Sequence, residues 1–143
     1  MGGLTLPDIN GIAHIQLSVS DMTRSREFYD AVLGAMGMVP VIDDENYFYC
    51  VGGRTALAIA PVAKELSGDS FDQRRVGLHH VCFRARSTED VDALFKIAGD
   101  AGANIVREPR EDGYAPGYYS TLFEDPDGIR IEINFVPGRG LLK

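Results

Sequence analysis

Two segments of the sequence follow the same pattern, IAHIQLSVSD at residues 12–21 and LHHVCFRARS at residues 78–87. Aligned without gaps, they share one identity, His14 with His80, but their apolar residues alternate in phase. An alternation of period two is typical of a strand that buries one face. The two segments therefore predict two equivalent strands, placed 66 residues apart, from His14 to His80.

The chain that follows each predicted strand also repeats. A capped helix pattern comes first, with Ser20 or Asp21 as one N-cap and Ser87 or Thr88 as the other, and each helix pattern stops near a glycine. Three short strand patterns then follow in each half, at residues 38–42, 46–51 and 55–60 in the first and 103–106, 118–123 and 129–135 in the second.

This repeat predicts an α+β domain built from two tandem βαβββ modules, whose strands form a curved mixed sheet around a cleft. We place module one at about 8–62, a polar linker at 63–75 and module two at about 76–137. Residues 107–117, rich in proline and glycine, are predicted to form a long loop of a type that often carries function.

Composition excludes several functional classes. The 143 residues carry a formal net charge of −7 with scattered basic residues, which disfavours nucleic acid and anionic membranes as partners. The first ten residues lack the basic and apolar regions of a signal peptide, and no apolar run is long enough to span a bilayer. We therefore expect a cytoplasmic protein whose two cysteines are free thiols.

The alternation also sorts polar side chains by face. His14 and His80 point away from the helix side of their strands, and Glu132 does so in the last strand. A single strand histidine is more often an ordinary polar residue, but these two share one register of the repeat. Two imidazoles and a carboxylate suit one divalent metal ion and leave room for substrate. His79 has the opposite parity, and we expect it to point away from the cleft.

The motifs HxxxSVSD (from His14), GLHHVCF (77–83) and FEDPDGIRIEI (123–133) resemble the vicinal oxygen chelate superfamily, which includes glyoxalases, extradiol dioxygenases and fosfomycin and bleomycin resistance proteins. The resemblance covers about residues 8–137. It implies paired βαβββ modules around a divalent ion (Fe, Mn, Ni, Co or Zn) held by His14, His80 and Glu132.

Two departures from this pattern bear on the reaction. Glyoxalase I uses a fourth ligand on its fourth strand, where this chain has RTALAIAPV (54–62). Aligning the prolines puts Ala56 opposite Glu132, and other registers give Leu57 or Ala58, none of which can bind a metal. Ring-cleaving dioxygenases have a tyrosine where this chain has Leu122, and a further histidine that is missing after His80.

The sequence therefore leaves two functions open. The first is a metal-dependent enzyme for a small substrate with vicinal oxygens, using lyase, isomerase or dioxygenase chemistry. The alternative is a metal-free drug-binding protein of the bleomycin-resistance type. A homodimer is expected, with the cleft either within one chain or between two. The catalytic base is not assigned, and the substrate-binding candidates are Gln16, Tyr49, Arg84, Tyr118, Arg130 and Asn134.

Overall fold

The strands and helices follow one another in the order that the repeat predicts. A computed structural model describes residue 3 and residues 5–140. Its elements are β1 (His14–Val19), α1 (Met22–Ala35), β2 (Val39–Asp44), β3 (Tyr47–Gly52), β4 (Thr55–Pro61), a 3-10 turn (Lys64–Leu66), β5 (Val81–Arg84), α2 (Thr88–Asp100), β6 (Asn104–Glu111), β7 (Tyr119–Glu124) and β8 (Arg130–Phe135). None of the helices in this described part is long and apolar enough to cross a membrane.

The strands form two four-stranded mixed sheets, ordered β1-β4-β3-β2 and β5-β8-β7-β6. In each sheet the first strand of the module pairs in parallel with the last, and the remaining pairs are antiparallel. The predicted α+β class with two tandem βαβββ modules is confirmed. The two sheets stay separate instead of joining into one curved sheet, and each is open at both edges.

The helices begin at the predicted caps. The Asp21 carboxylate accepts a hydrogen bond from the backbone N–H of Arg24, and the Ser87 hydroxyl accepts one from Asp90. Such caps satisfy backbone donors that have no partner within the helix. The predicted loop at 107–117 is shorter than expected because β6 continues to Glu111. Pro109 is tolerated there because β6 is an edge strand.

One hydrophobic core serves both modules. It takes Leu17 and Val19 from β1 and Ile131 and Ile133 from β8, together with the apolar sides of both helices. The rings of Phe28 in α1 and Phe123 in β7 lie 6.4 Å apart at this junction. The sheets thus share their helix-side faces, and their opposite faces, here called the outer faces, lie away from the common core. The outer faces carry His14, Gln16 and Ser18 in module one and Cys82, Arg84, Glu132 and Asn134 in module two.

A buried polar turn in module two is hydrogen-bonded to module one. Tyr29 of α1 donates a hydrogen bond of 2.6 Å to Asp125, whose other oxygen accepts from the backbone N–H groups of Asp127 and Ile129. Asp127 in turn accepts from the backbone N–H of Ser20. Burial raises the pKa of Asp125 above its usual value. The DPDG sequence therefore forms both a tight turn and the connection to module one.

Candidate metal centre

A histidine and a carboxylate converge on the outer face of module two. Nε2 of His80 lies 3.1 Å from Oε2 of Glu132, with 35% of the His80 side chain and 13% of the Glu132 side chain exposed. Glu132 occupies the middle of β8, beside Cys82 of β5. His80 immediately precedes β5, so the parallel pairing of β5 with β8 brings the two side chains together.

A tyrosine fixes the other oxygen of Glu132. The Tyr118 hydroxyl donates to Oε1 of Glu132, and Nδ2 of Asn134 donates to the Tyr118 oxygen over 3.2 Å. Burial, followed by the bond to Glu132, raises the pKa of Tyr118 to about 12. Tyr118 therefore remains a protonated donor at neutral pH. Since Oε1 is held in this way, Oε2 is left facing His80.

The outer face of module one carries the second group of candidates. His14 is exposed, and the ring of Tyr49 lies 6.1 Å from the His14 ring. Gln16 accepts a hydrogen bond of 3.1 Å from the hydroxyl of Tyr47, and Tyr47 stacks on Tyr49. Tyr47 was not among the predicted site residues. Its alternation with Tyr49 along β3 was the available sequence signal.

Two of the candidate donors, His80 and Glu132, fit a shared divalent ion in type and in spacing. Two donor atoms that each lie about 2.1 Å from one ion, at an angle of about 90° to 110°, are about 3.0 to 3.4 Å apart. The 3.1 Å between His80 and Glu132 falls in this range. Within residues 5–140 of one chain, however, no three His, Cys, Asp or Glu side chains are arranged so that together they could hold a metal ion. His14 therefore does not join the pair inside a single chain.

The fourth strand contributes no ligand. Gln16 pairs with Ala58 in the parallel β1–β4 ladder, just as Cys82 pairs with Glu132 in the β5–β8 ladder. Gln16 and Cys82 each lie two residues after the repeated histidine, so Ala58 is the internal counterpart of Glu132. The proline alignment, which put Ala56 there, was off by two residues. Ala58 is fully buried and has no donor atom.

The remaining candidates differ in their surroundings. Arg84 is exposed beside Asn134, whereas Arg130 lies 3.5 Å from the carboxylate of Glu124. Desolvation and the nearby Glu132 raise the pKa of the Cys82 thiol to about 12, so the thiol is not an activated nucleophile. Because Arg84 is exposed and Arg130 is paired with Glu124, Arg84 has greater freedom than Arg130 to bind an anionic group.

His79 is a site neighbour that the alternation missed. Its Nδ1 lies 2.8 Å from Nδ1 of His80, with the rings edge to face at a centroid distance of 5.0 Å. Both residues precede the first hydrogen-bonded residue of β5, Val81, so the strand rule of opposite faces does not apply to them. The HH dipeptide was the only sequence signal for this contact.

A cavity of about 440 Å³ lies elsewhere, at the junction of the modules. Its wall combines the end of α1 and the β3–β4 turn with one side of α2 and the end of β5. His14, His80 and Glu132 do not line it, whereas the substrate-binding candidate Arg84 does. The candidate metal centre is therefore on the open outer faces and not in this cavity.

The two tandem βαβββ modules, each with its own mixed four-stranded sheet, define the class of fold to which the chain belongs. The family model of the Glyoxalase/Bleomycin resistance protein/Dioxygenase superfamily matches residues 11–133, and the chain belongs to this superfamily.

Several relatives match over most of the chain. The uncharacterized protein YqjT of Bacillus subtilis is 29% identical, over 84% of this chain and 94% of its own. The metallothiol transferase FosB of Shouchella clausii is 27% identical, over 88% of this chain and 80% of its own. A glyoxalase-type protein of Bacillus halodurans has a solved structure with a TM-score of 0.77 and 27% identity, covering 87% of this chain and 95% of that one.

Proposed function

We propose that this protein is a divalent-metal-dependent enzyme that acts on a small substrate with adjacent oxygen atoms. In this proposal His14, His80 and Glu132 hold the ion. The observation that carries it is the 3.1 Å approach of His80 to Glu132 on an open face, at the spacing of two ligands of one ion. The repeat-equivalent position of His14 supplies the third donor.

The proposal requires two chains for each site. His14 lies on the exposed outer face of module one, and the shared core separates this face from the pair on module two. A two-fold dimer can lay module one of each chain against module two of the other, which creates two identical sites. Large apolar side chains are exposed on module one in agreement with such an interface, namely Ile9, Ile12, Val39, Val41, Ile42 and Val51.

Each residue around the centre has a separate task. A bound divalent ion would supply Lewis-acid polarisation of a substrate oxygen. Tyr118 orients the Glu132 carboxylate by donating its hydroxyl hydrogen bond to Oε1, and its raised pKa of about 12 keeps the phenol neutral. Asn134 fixes the Tyr118 hydroxyl in turn. Arg84 provides positive charge for an anionic part of the substrate.

Among the possible reactions we favour the transfer of a nucleophile, such as a thiol, to an activated carbon–oxygen group. Isomerisation by proton abstraction needs a carboxylate base, and the strand position that could provide one holds the buried Ala58. Thiol transfer would form one carbon–sulfur bond and break one carbon–oxygen bond, and the proton of the thiol would pass to the released oxygen. A bound ion would polarise the carbon–oxygen group, so no carboxylate base on the fourth strand is needed. The likeness to a metallothiol transferase agrees with this choice.

Metal content tests the proposal directly. Protein purified without added metal, and then reconstituted with Fe, Mn, Ni, Co or Zn, should hold one ion per chain by elemental mass spectrometry. Glu132→Gln should lose it because a carboxylate donor becomes an amide. Glu124→Gln is the matched control, since Glu124 lies on the same sheet in the neighbouring strand and pairs with Arg130 instead. It should retain the metal.

Two results would overturn this assignment. If the wild type took up none of the five ions, the protein would be a metal-free binding protein. If Glu132→Gln and Glu124→Gln retained metal equally, the ion would be held elsewhere. With metal confirmed, thiol-transfer, lyase and dioxygenase assays on the loaded protein distinguish the reaction classes. We expect turnover only in the thiol-transfer assay.

A further inference from the structure

The contact between His79 and His80 joins two nitrogens of the same kind. Nδ1 of one ring lies 2.8 Å from Nδ1 of the other. Two neutral imidazoles can form this hydrogen bond only if one Nδ1 carries a proton and the other presents a lone pair. The tautomer of His79 is therefore tied to the tautomer of His80.

Glu132 determines which arrangement holds in the metal-free protein. Nε2 of His80 lies 3.1 Å from the Glu132 carboxylate, which has only acceptor atoms when ionised. A proton on Nε2 makes a charge-assisted hydrogen bond there. His80 then has a lone pair on Nδ1, and His79 must donate to it through its own Nδ1–H.

Coordination through Nε2 of His80 requires the reverse arrangement. Nε2 must then present a lone pair, so the proton of a neutral ring moves to Nδ1. That Nδ1–H needs an acceptor, and His79 provides one when its own proton moves to Nε2. His79 is exposed, so this proton can exchange with water. In both arrangements each ring would carry one proton.

We propose that His79 is a positioning residue that changes tautomer together with His80, so that the His80 ring keeps its orientation in both the metal-free and the metal-bound states. The inference rests on the proposed function for the identity of His80 as a ligand. It adds a residue outside the proposed ligand set and assigns that residue a specific hydrogen-bonding role. A fixed donor such as a lysine, or a fixed acceptor such as a carboxylate, matches only one of the two states.

Long-range ¹H–¹⁵N NMR spectra of the imidazole rings test this directly. The chain has only three histidines, so His14→Ala and His79→Asn suffice to assign the signals. In metal-free protein at pH 8.5 we expect the Nε2–H form of His80 and the Nδ1–H form of His79. Addition of Zn²⁺ should invert both. The inference is overturned if Zn²⁺ binds while His79 keeps its tautomer, or if His80 binds through Nδ1.

Two variants separate this role from simple packing. In His79→Asn the amide can turn to present either its oxygen or its NH₂ group, so it should bind Zn²⁺ within about threefold of the wild type. His79→Leu can present neither and should weaken binding by about 10- to 100-fold, as for other hydrogen-bond partners of ligating histidines. Equal affinities for Asn and Leu would contradict the inference. A wild type that binds no metal would instead refute the proposed function, while the metal-free spectrum would still report the histidine pair.

Discussion

At the scale of single residues, the same hydrogen bond has different consequences in different surroundings. Tyr29 and Tyr119 each donate a hydroxyl to an aspartate over 2.6 Å. Tyr29 is fully buried and reaches Asp125 across the module junction, whereas the bond from Tyr119 to Asp92 is exposed. When a buried acceptor loses its donor, no water can take the donor's place. At an exposed acceptor, water can do so.

Tyr29→Phe should therefore lower the free energy of unfolding by about 1 to 3 kcal/mol, since it leaves a carboxylate oxygen of Asp125 without its donor. Tyr119→Phe is the matched control and should change stability by less than about 0.5 kcal/mol. Urea denaturation of both variants provides the comparison. Equal effects would mean that the buried bond does not hold the modules together.

Individual site residues were predictable where the strand alternation holds. His14 and Glu132 lie on the outer faces because each sits in a regular strand whose alternate residues are buried. His79 was missed because it precedes β5, where no sheet ladder dictates which way a side chain points. The contact of Tyr47 with Gln16 was not predicted, since it joins β1 and β3, which are not neighbours in the sheet.

At the scale of elements, the order of helices and strands along the chain was predictable from the repeat, but the register of strand pairing was not. Side-chain alternation fixes which face a residue occupies, and it is unchanged by a shift of two residues. Ala56 and Ala58 therefore satisfy the pattern equally, and only the observed pairing of Gln16 with Ala58 identifies the counterpart of Glu132. The end of β6 was misjudged for a different reason. Pro109 suggested a loop, but β6 is an edge strand and tolerates it.

The loop between β6 and β7 positions Tyr118 through one glycine. Gly117 has φ of +72°, and a Cβ there would lie 2.7 Å from Cγ of Pro137. Gly117→Ala should lower the free energy of unfolding by roughly 1 to 2 kcal/mol from the left-handed backbone alone. The clash should also displace Tyr118 from Glu132 and weaken metal binding.

Gly113→Ala in the same loop is the control, since its Cβ would meet nothing within 4 Å and its backbone is not left-handed. Thermal unfolding and Zn²⁺ titration of the two variants test the difference. Should Gly117→Ala match the control in both measurements, the loop would not be what places Tyr118.

At the scale of the whole molecule, the packing of the modules decides where the site can form. Both modules bury their helix sides in one core, and the DPDG turn fixes this arrangement through Asp125 and Asp127. The strand pattern predicts each module but not how the two modules pack. The apolar faces would be buried whether the modules of one chain pack on each other or each module packs on a second chain. The consequence is a chain that carries two of the proposed ligands, His80 and Glu132, on one outer face and the third, His14, on the other.

The most direct test of a metal centre shared between chains uses two variants that each lack a different ligand. His14→Ala and Glu132→Ala should bind no metal as separate homodimers. Mixed by unfolding and refolding together, they form heterodimers in which one site has lost both ligands and the other has lost neither. The account predicts one ion per isolated heterodimer, with wild-type affinity. A heterodimer without metal would contradict it, because both sites would then lie within single chains or would not exist.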